Sequence, residues 1–347
     1  MSTEHAIFSL KQTIEYYTKM SSPIFMCFID ASKAFDRVNH WSLIKKLIDR
    51  NFPCTAVRKI LTWYKTQTFF VRWGSCLSEG FMITNGVRQG GILSPYLFNL
   101  YIDDLSIILN KSKIGCNLNN IFINHTGYAD DLATITPSPS AMQKLLDLCY
   151  NYALENDIIF NLSKTKLMCI KPCNLTDYVP PNIFLGKSLL KYVDSEKYLG
   201  VFITDTLCDD KDIKRQVRSV YSRGNVLVRN FFRCSIEVKK RLFYVFCTNF
   251  YACAIWSNYT KNCMNRLKVA YNSVIRNFFG LERVDSISNF MVENNLPAFD
   301  VLIRKYMYNF KCRIFNSENH IVKCITNWCY FIDCRLHREW TDRLYCF

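Results

Sequence analysis

Three aspartates at two places in the chain could do chemistry together. Asp130 and Asp131 stand side by side in TGYADDLATI, residues 126–135, and Asp30 closes the apolar run PIFMCFIDA. An adjacent Asp pair on its own usually marks a solvated turn, because Asp bonds its own backbone. Asp30 shifts that weighting. A buried strand that ends in a charge needs compensation, since an unpaired carboxylate is costly to desolvate. A divalent cation supplies it. Hard oxygen ligands from two strands, with positions left for phosphate oxygens, suit magnesium better than zinc. Two such ions about 4 Å apart activate an attacking oxygen and steady a leaving one, the two-metal mode of phosphoryl transfer. Positioning and charge neutralisation complete that chemistry.

The elements that must hold these acids follow from hydrophobic spacing. Ile7, Leu10, Ile14 and Tyr17 recur at three and four, which predicts an amphipathic helix ended by Ser21-Ser22-Pro23. The run before Asp30 reads as a buried strand, and NHWSLIKKLIDR and residues 55–65 return to helical spacing. FFVRW, Gly74 and FMITNGV suggest a strand pair, followed by a loop and long buried helix in GGILSPYLFNLYIDDLSIIL. A polar turn is expected from Asn124 to Gly127, with the Asp pair at or near the bend. Residues 142–156 are helical, and FNLSKTKLMCI and YLGVFIT are strand-like. Residues 242–256, LFYVFCTNFYACAIW, read as a buried helix. They fall short of the roughly 18 uninterrupted apolar residues of a membrane span.

With 347 residues, half of them hydrophobic, the chain can bury a large core. Its net charge of +15 implies an acidic partner, nucleic acid or anionic lipid. Seventeen cysteines scattered among apolar neighbours read as reduced core thiols of an intracellular protein, nuclear or cytoplasmic. The amino terminus has no secretory pattern, so the expectation is a protein neither secreted nor membrane-bound. Between Lys211 and Arg241 ten Lys or Arg face only two acids, and this shift places a domain boundary near residue 205.

FIDASKAFDRVNH, NGVRQGGILSPYLFNLYIDDL, GYADDL, NLSKTK and KYLG occur in that order. This series resembles the palm of reverse transcriptases, especially those of non-LTR retrotransposons of the LINE type. The resemblance implies an α+β fold, a right-hand polymerase palm of antiparallel sheet packed on helices. Partial fingers and palm would span residues 1–205, and a mainly helical, basic thumb with the C-terminal region residues 206–347. It implies an RNA-directed DNA polymerase that transfers deoxynucleotides to a primer 3′-hydroxyl, with RNA template, DNA primer and deoxynucleoside triphosphates as partners. Asp30, Asp130 and Asp131 would bind two Mg²⁺ ions, or Mn²⁺ in their place. Phe35 would crowd a nucleotide's 2′-hydroxyl, and Gln89 and Gly90 would border the nascent pair. Lys164 or Lys166 would sit near the departing pyrophosphate. Tyr128 would lie near the primer end, and Tyr198, Leu199 and Gly200 would form the primer-grip turn. Asp36 reads as structural, and Arg88 reads equally as a phosphate contact or a solvated loop cation.

Only 29 residues precede Asp30. The resemblance therefore leads one to expect an N-terminal truncation and a weakened triphosphate clamp. Two alternatives stay open: an inactive remnant that binds nucleic acid through the basic thumb, and a group II intron maturase-like enzyme, against which SKAFDRVNH and LFNLYIDDL weigh. Cys324, Cys329, Cys334 and His337 do not match the spacing of a zinc knuckle, and His320 does not improve it. His125 and His40 read as turn and helix-cap residues.

Overall fold

The computed structural model describes residues 2–119, 121–175 and 177–345. The chain divides into two compact units, residues 17–193 on one side and residues 1–16 with 194–347 on the other. The composition shift near residue 205 lies inside the second unit.

In the first unit a five-stranded sheet runs in the order Lys191–Tyr192, Lys166–Ile170, Ile24–Asp30, Asp131–Thr136, His125–Tyr128. The central strand, IFMCFI before its aspartate, is buried on both faces, which is why it reads as an unbroken apolar run. Phe25, Cys27 and Ile29 pack with Leu97, Phe98 and Tyr101 of helix Ser94–Lys111 and with Met142, Leu145 and Cys149 of helix Pro139–Glu155. Ser138 caps the latter, accepting from Ala141 N at 3.3 Å, with Pro139 in the first turn where its missing N–H costs nothing. The sheet is antiparallel except at one edge, where Lys166 and Leu167 pair in parallel with Lys191 and Tyr192. That departs from a purely antiparallel palm: the chain leaves the Lys166–Ile170 strand, makes the Phe184–Leu185 and Ser188–Leu189 hairpin, and re-enters in the same direction.

The predicted strand pair around Gly74 forms as two short pairings, Thr68–Phe69 with Phe81–Met82 and Arg72–Trp73 with Cys76–Leu77. Of the expected turn at Asn124–Gly127, residues 125–127 are instead strand. Asn124 is buried and spends its amide on the carbonyl of Leu109 at 2.6 Å, and the bend lies beside the aspartate pair, at Ala129, whose φ is +53°.

The second unit is almost entirely helical. Helices Asp210–Phe231, Ile236–Cys247, Lys261–Phe279 and Phe299–Phe315 enclose Phe243, Phe250, Trp256, Tyr271, Phe278 and Phe310. Gly224 sits where a Cβ would meet Val274 at 2.5 Å, so only glycine lets those two helices cross so closely. The start of helix Thr3–Lys19 belongs here as well: Phe8 packs edge-on against Phe310 and Phe331, and Lys11 Nζ donates to Asp209 at 2.5 Å and to the Ile255 carbonyl at 3.1 Å.

The apolar run 242–256 is not one helix. It stops at Cys247, and a single 3₁₀ turn, Cys253–Ile255, follows Ala252 at φ +61°. The carbonyls of this buried turn are satisfied from afar, Tyr251 O by Gln216 at 3.0 Å, Ala254 O by Trp340 Nε1 at 2.9 Å and Ile255 O by Lys11. Such partners free a buried segment from helical bonding.

Candidate functional site

The antiparallel register between strands Ile24–Asp30 and Asp131–Thr136 places Asp30 directly opposite Asp131. The hairpin register places Tyr128 opposite Asp131 on its other side, with Asp130 in the two-residue turn between them. Residues paired this way have Cβ atoms about 5 Å apart, and like charges so placed repel. The Asp131 carboxyl is accordingly held above the usual carboxylate range, by burial first and then by the charges of Asp130 and Asp30.

The turn NLSKTK closes on Asp30 from the neighbouring strand. Asn161 N donates to the Asp30 carbonyl at 2.7 Å, and Asp30 N reaches Thr165 Oγ1 at 3.4 Å. Asn161 Oδ1 in turn accepts from Ser163 N at 3.1 Å and Lys164 N at 3.3 Å, a local bonding pattern that fixes the turn. The two lysines the sequence left equivalent now differ. Lys164 Nζ stands 3.6 Å from Asp30 Oδ2, whereas Lys166 Nζ is spent on the Ser163 carbonyl at 2.5 Å.

Phe35 opens the 3₁₀ turn Phe35–Arg37 and stacks on buried Phe98, centroids 4.5 Å apart. Phe98 was not singled out by sequence; its place on helix Ser94–Lys111, four residues after Ser94, was the available signal. The Phe35 carbonyl accepts from Val87 N at 2.7 Å, and Gly86 N donates to Val38 O at 2.7 Å, so the segment leading to Gln89 is sewn to the one carrying Phe35. Gln89 Nε2 donates to Asp36 Oδ1 at 3.3 Å. Gly90 has φ +81°, and nothing lies within 4 Å of the position a Cβ would take: glycine is required by conformation, and the space above it is open. Arg88 is exposed, its carbonyl accepting from Gly91 N at 3.0 Å and from the Ser94 hydroxyl.

Tyr198, Leu199 and Gly200 lie in the other compact unit. They form a two-residue hairpin between strands Ser195–Tyr198 and Val201–Thr204, with Leu199 and Gly200 both at positive φ, +46° and +81°. Two left-handed residues in succession make the turn whose twist suits a hairpin. Tyr251 Oη donates to the Leu199 carbonyl at 3.0 Å, fixing the turn from within that unit.

Among the described residues no three His, Cys, Asp or Glu side chains close on one point as a preformed metal cage. The donor chemistry nonetheless fits a magnesium-type cation, which is commonly held by one or two carboxylates and completed by substrate phosphates and water. Asp30 and Asp131 in register, with the Asp131 carboxyl raised first by burial and then by the neighbouring charges, supply such a donor set. At the carboxyl end Cys334 is buried and accepts from His337 N at 3.3 Å, while Cys329 is exposed. His125 is half-buried in strand between Ser106 Oγ and Asn124 Oδ1, at 2.6 and 2.7 Å, and desolvation drives its pKa down to about 4. His40 begins helix His40–Asp49, and its Nε2 meets the Gly86 carbonyl at 2.7 Å. No helix among the described residues is long and apolar enough to cross a membrane.

Residues 2–203 match the family described as reverse transcriptase (RNA-dependent DNA polymerase). The RNA-directed DNA polymerase of the mobile element jockey from Drosophila funebris is 24% identical over 313 residues, 86% of this chain and 33% of that protein. The Pol polyprotein of the type-2 retrotransposable element R2DM from Drosophila melanogaster is 31% identical over 186 residues, 51% of this chain and 17% of that one. Among solved structures, a telomerase from Candida tropicalis with a fragment of telomeric RNA aligns with 99% of this chain and 50% of its own, at 12% identity and a TM-score of 0.45. The chain thus spans about a third of the length of jockey's polymerase.

Proposed function

Because the chain belongs to the reverse transcriptase family, we propose that it is the polymerase portion of a LINE-type retrotransposon protein, joining deoxynucleotides to a primer 3′-hydroxyl as directed by an RNA template. The observation that carries this reading is the register of Asp30 against Asp131, with Asp130 in the intervening turn. Asp30, Asp130 and Asp131 would hold two Mg²⁺ ions, which Mn²⁺ could replace, and the metals would supply Lewis-acid stabilisation of charge at the reacting phosphate.

The chain's own residues do the rest. Phe35, braced by Phe98, presents a ring edge where a ribose 2′-hydroxyl would otherwise fit. Gln89 is oriented by Asp36, and Gly90 leaves open space over its backbone for the nascent base pair. Lys164, exposed and 3.6 Å from Asp30, neutralises the departing pyrophosphate. Tyr128 supports the primer end, and Tyr198, Leu199 and Gly200 hold the growing strand. The basic helix Asp210–Phe231 exposes Lys214, Arg218 and Arg229, spaced to track a phosphate backbone without reading sequence. The acidic partner implied by the net charge is then the template–primer duplex, and the setting is intracellular, nucleus or cytoplasm.

Primer extension on poly(rA)·oligo(dT) with magnesium tests this. Extension should exceed that of an Asp130→Asn variant by roughly a hundredfold or more, the scale for losing a group that stabilises transition-state charge. Equal extension by the two proteins would end the reading.

A further inference from the structure

Helix His40–Asp49 spends most of its surface on the fold. Leu43, Ile44 and Leu47 are buried in the core of the first unit, Lys46 and Arg50 donate to Asp104, and His40 Nε2 meets the Gly86 carbonyl at 2.7 Å. One stripe is left over. Trp41, Lys45 and Ile48 follow at spacings of four and three residues and so share a helical face. Trp41 is 64% exposed and Ile48 58%, with exposed Lys45 between them; Phe52, 41% exposed, comes just past the helix end.

Helix Cys54–Thr66 runs back beside this stripe. Only residues 50–53 connect the two, and Lys65, near the end of the second helix, holds its Nζ 4.8 Å from the centre of the Trp41 ring, at the start of the first. The pair is therefore antiparallel. Arg58 stands two turns before Lys65 on the same face, toward the Ile48 end, and Arg58, Lys59 and Lys65 are all exposed. Asp49 is the only acid on either helix. Single exposed apolar side chains need no explanation, but a Trp and an Ile on one stripe, interleaved with cations, mark a contact surface.

The order of the groups selects the occupant. Helices that lie on lipid keep a continuous apolar face with a separate cationic one, whereas here Lys45 stands between Trp41 and Ile48, and Lys65 lies over the indole itself. Cations interleaved with flat rings suit a single nucleic-acid strand, whose phosphates meet the amines while its unpaired bases stack. The stripe also starts beside the segment leading to Gln89, because His40, the residue before Trp41, is bonded to Gly86.

We propose that this helix pair binds unpaired RNA outside the copied stretch, with Trp41 as the stacking platform and Lys45, Arg58 and Lys65 as phosphate contacts. None of these residues belongs to the proposed nucleotide site, and the choice of RNA rests on the polymerase reading.

Fluorescence anisotropy of a labelled oligo(rU) strand with the full chain tests this. Trp41→Ala should weaken binding by about tenfold, the scale of one stacked base, and Trp41→Phe, which keeps a flat ring, by about twofold or less. Replacing Lys45 and Lys65 together by Gln should lower the slope of log affinity against log salt by about 1.4, or about 0.7 for each contact to a single strand. Because Trp41 is exposed, the melting temperature of Trp41→Ala should stay at that of wild type, so that weaker binding reports a lost contact. If Trp41→Ala binds as wild type does, the proposal fails, and an unchanged salt slope in the double lysine variant fails it equally. Loss of binding to phosphatidylserine vesicles in Trp41→Ala, with RNA binding kept, would make the face a membrane contact instead. Extension of a primer–template with a one-nucleotide overhang, too short to reach the stripe, should be equal in wild type and Trp41→Ala; a loss there would mean that Trp41 acts through His40 on the Gln89 segment and not through RNA. The binding assays need no catalysis, so wild-type extension tests the polymerase reading separately.

Discussion

The molecule holds two groups of acids in opposite ways. Asp209 and Asp212, in the helical unit, are at most 1% exposed, and each accepts three hydrogen bonds. Asp209 takes Lys11 at 2.5 Å and the N–H groups of Ser257 and Asn258 at 2.8 and 3.0 Å; Asp212 takes Arg215 Nε at 2.7 Å, Trp256 Nε1 at 3.0 Å and Phe202 N at 3.2 Å. Asp30 and Asp131 instead stand opposite each other in register with Asp130 in the adjoining turn, the Asp131 carboxyl feels both other charges, and Lys164 lies 3.6 Å from Asp30. Satisfied acids hold a fold together. An acid whose pKa is raised by burial and by two neighbouring charges, as Asp131 is, would gain from a bound cation.

Breaking the two groups should therefore give opposite results. Asp30→Asn should abolish extension, by roughly a hundredfold or more, with little change in melting temperature. Lys11→Met should do the reverse. Removing one partner of a buried ion pair leaves the other charge uncompensated, at about 3–5 kcal/mol, which denaturant unfolding would register while the residual folded protein keeps its specific activity. If Lys11→Met proved neutral in stability, the contrast between the two acid groups would be lost.

The same contrast explains what was legible in the sequence. Asp30 and Asp131 could be singled out because one ends and the other begins a strand whose apolar pattern is local, and the two strands are neighbours in one sheet, which sets these two opposite each other. The role of Lys11 could not be found. Its partner lies 198 residues away, and the helix that carries it shows only an amphipathic pattern, the same whether it packs on the sheet or on the helical unit. Residues 242–256 misled for a related reason: apolarity reports burial, while the choice between helix and turn was made by Gln216, Trp340 and Lys11, which bond the turn's carbonyls from distant segments. The bend falls at the aspartate pair as expected, but no turn forms at Asn124–Gly127, because Asn124, a turn former by type, spends its amide on the Leu109 carbonyl. Lys164 and Lys166 stayed equivalent in sequence because they stand two residues apart in one short motif; Lys164 falls in the turn, 3.6 Å from Asp30, and Lys166 opens the strand with its amine bonded to the Ser163 carbonyl.

That distinction sharpens the comparison at a smaller scale. Lys164→Met should lower the rate of extension by about tenfold, as a removed proton donor or charge partner does at the low end of its range, with the deoxynucleotide KM changed less than kcat. Lys166→Met should leave both within about twofold. Single-turnover extension measures each, and equal losses would return the two lysines to the ambiguity of the sequence.

The smallest expected effect concerns pH. A carboxyl whose pKa is raised in the folded state binds its proton more tightly there than in the unfolded chain. Protonation therefore favours folding, and stability falls as pH rises through the folded pKa, the reverse of a salt-bridged acid. Asp131 is raised. Asp104 is lowered: burial pushes it up, but the hydrogen bonds from Lys46 and Arg50 outweigh that. In EDTA, the melting temperature of wild type should match that of Asp131→Asn at acid pH and fall below it as pH climbs through the carboxylate range to neutrality. Asp104→Asn should show the opposite trend, with the wild type gaining over the variant across the same climb. Magnesium should then raise the wild type more than Asp131→Asn at neutral pH. A wild type that gained nothing from the ion relative to this variant would mean that the repulsion at Asp131 is relieved by solvent alone, and the cation would lose its electrostatic rationale.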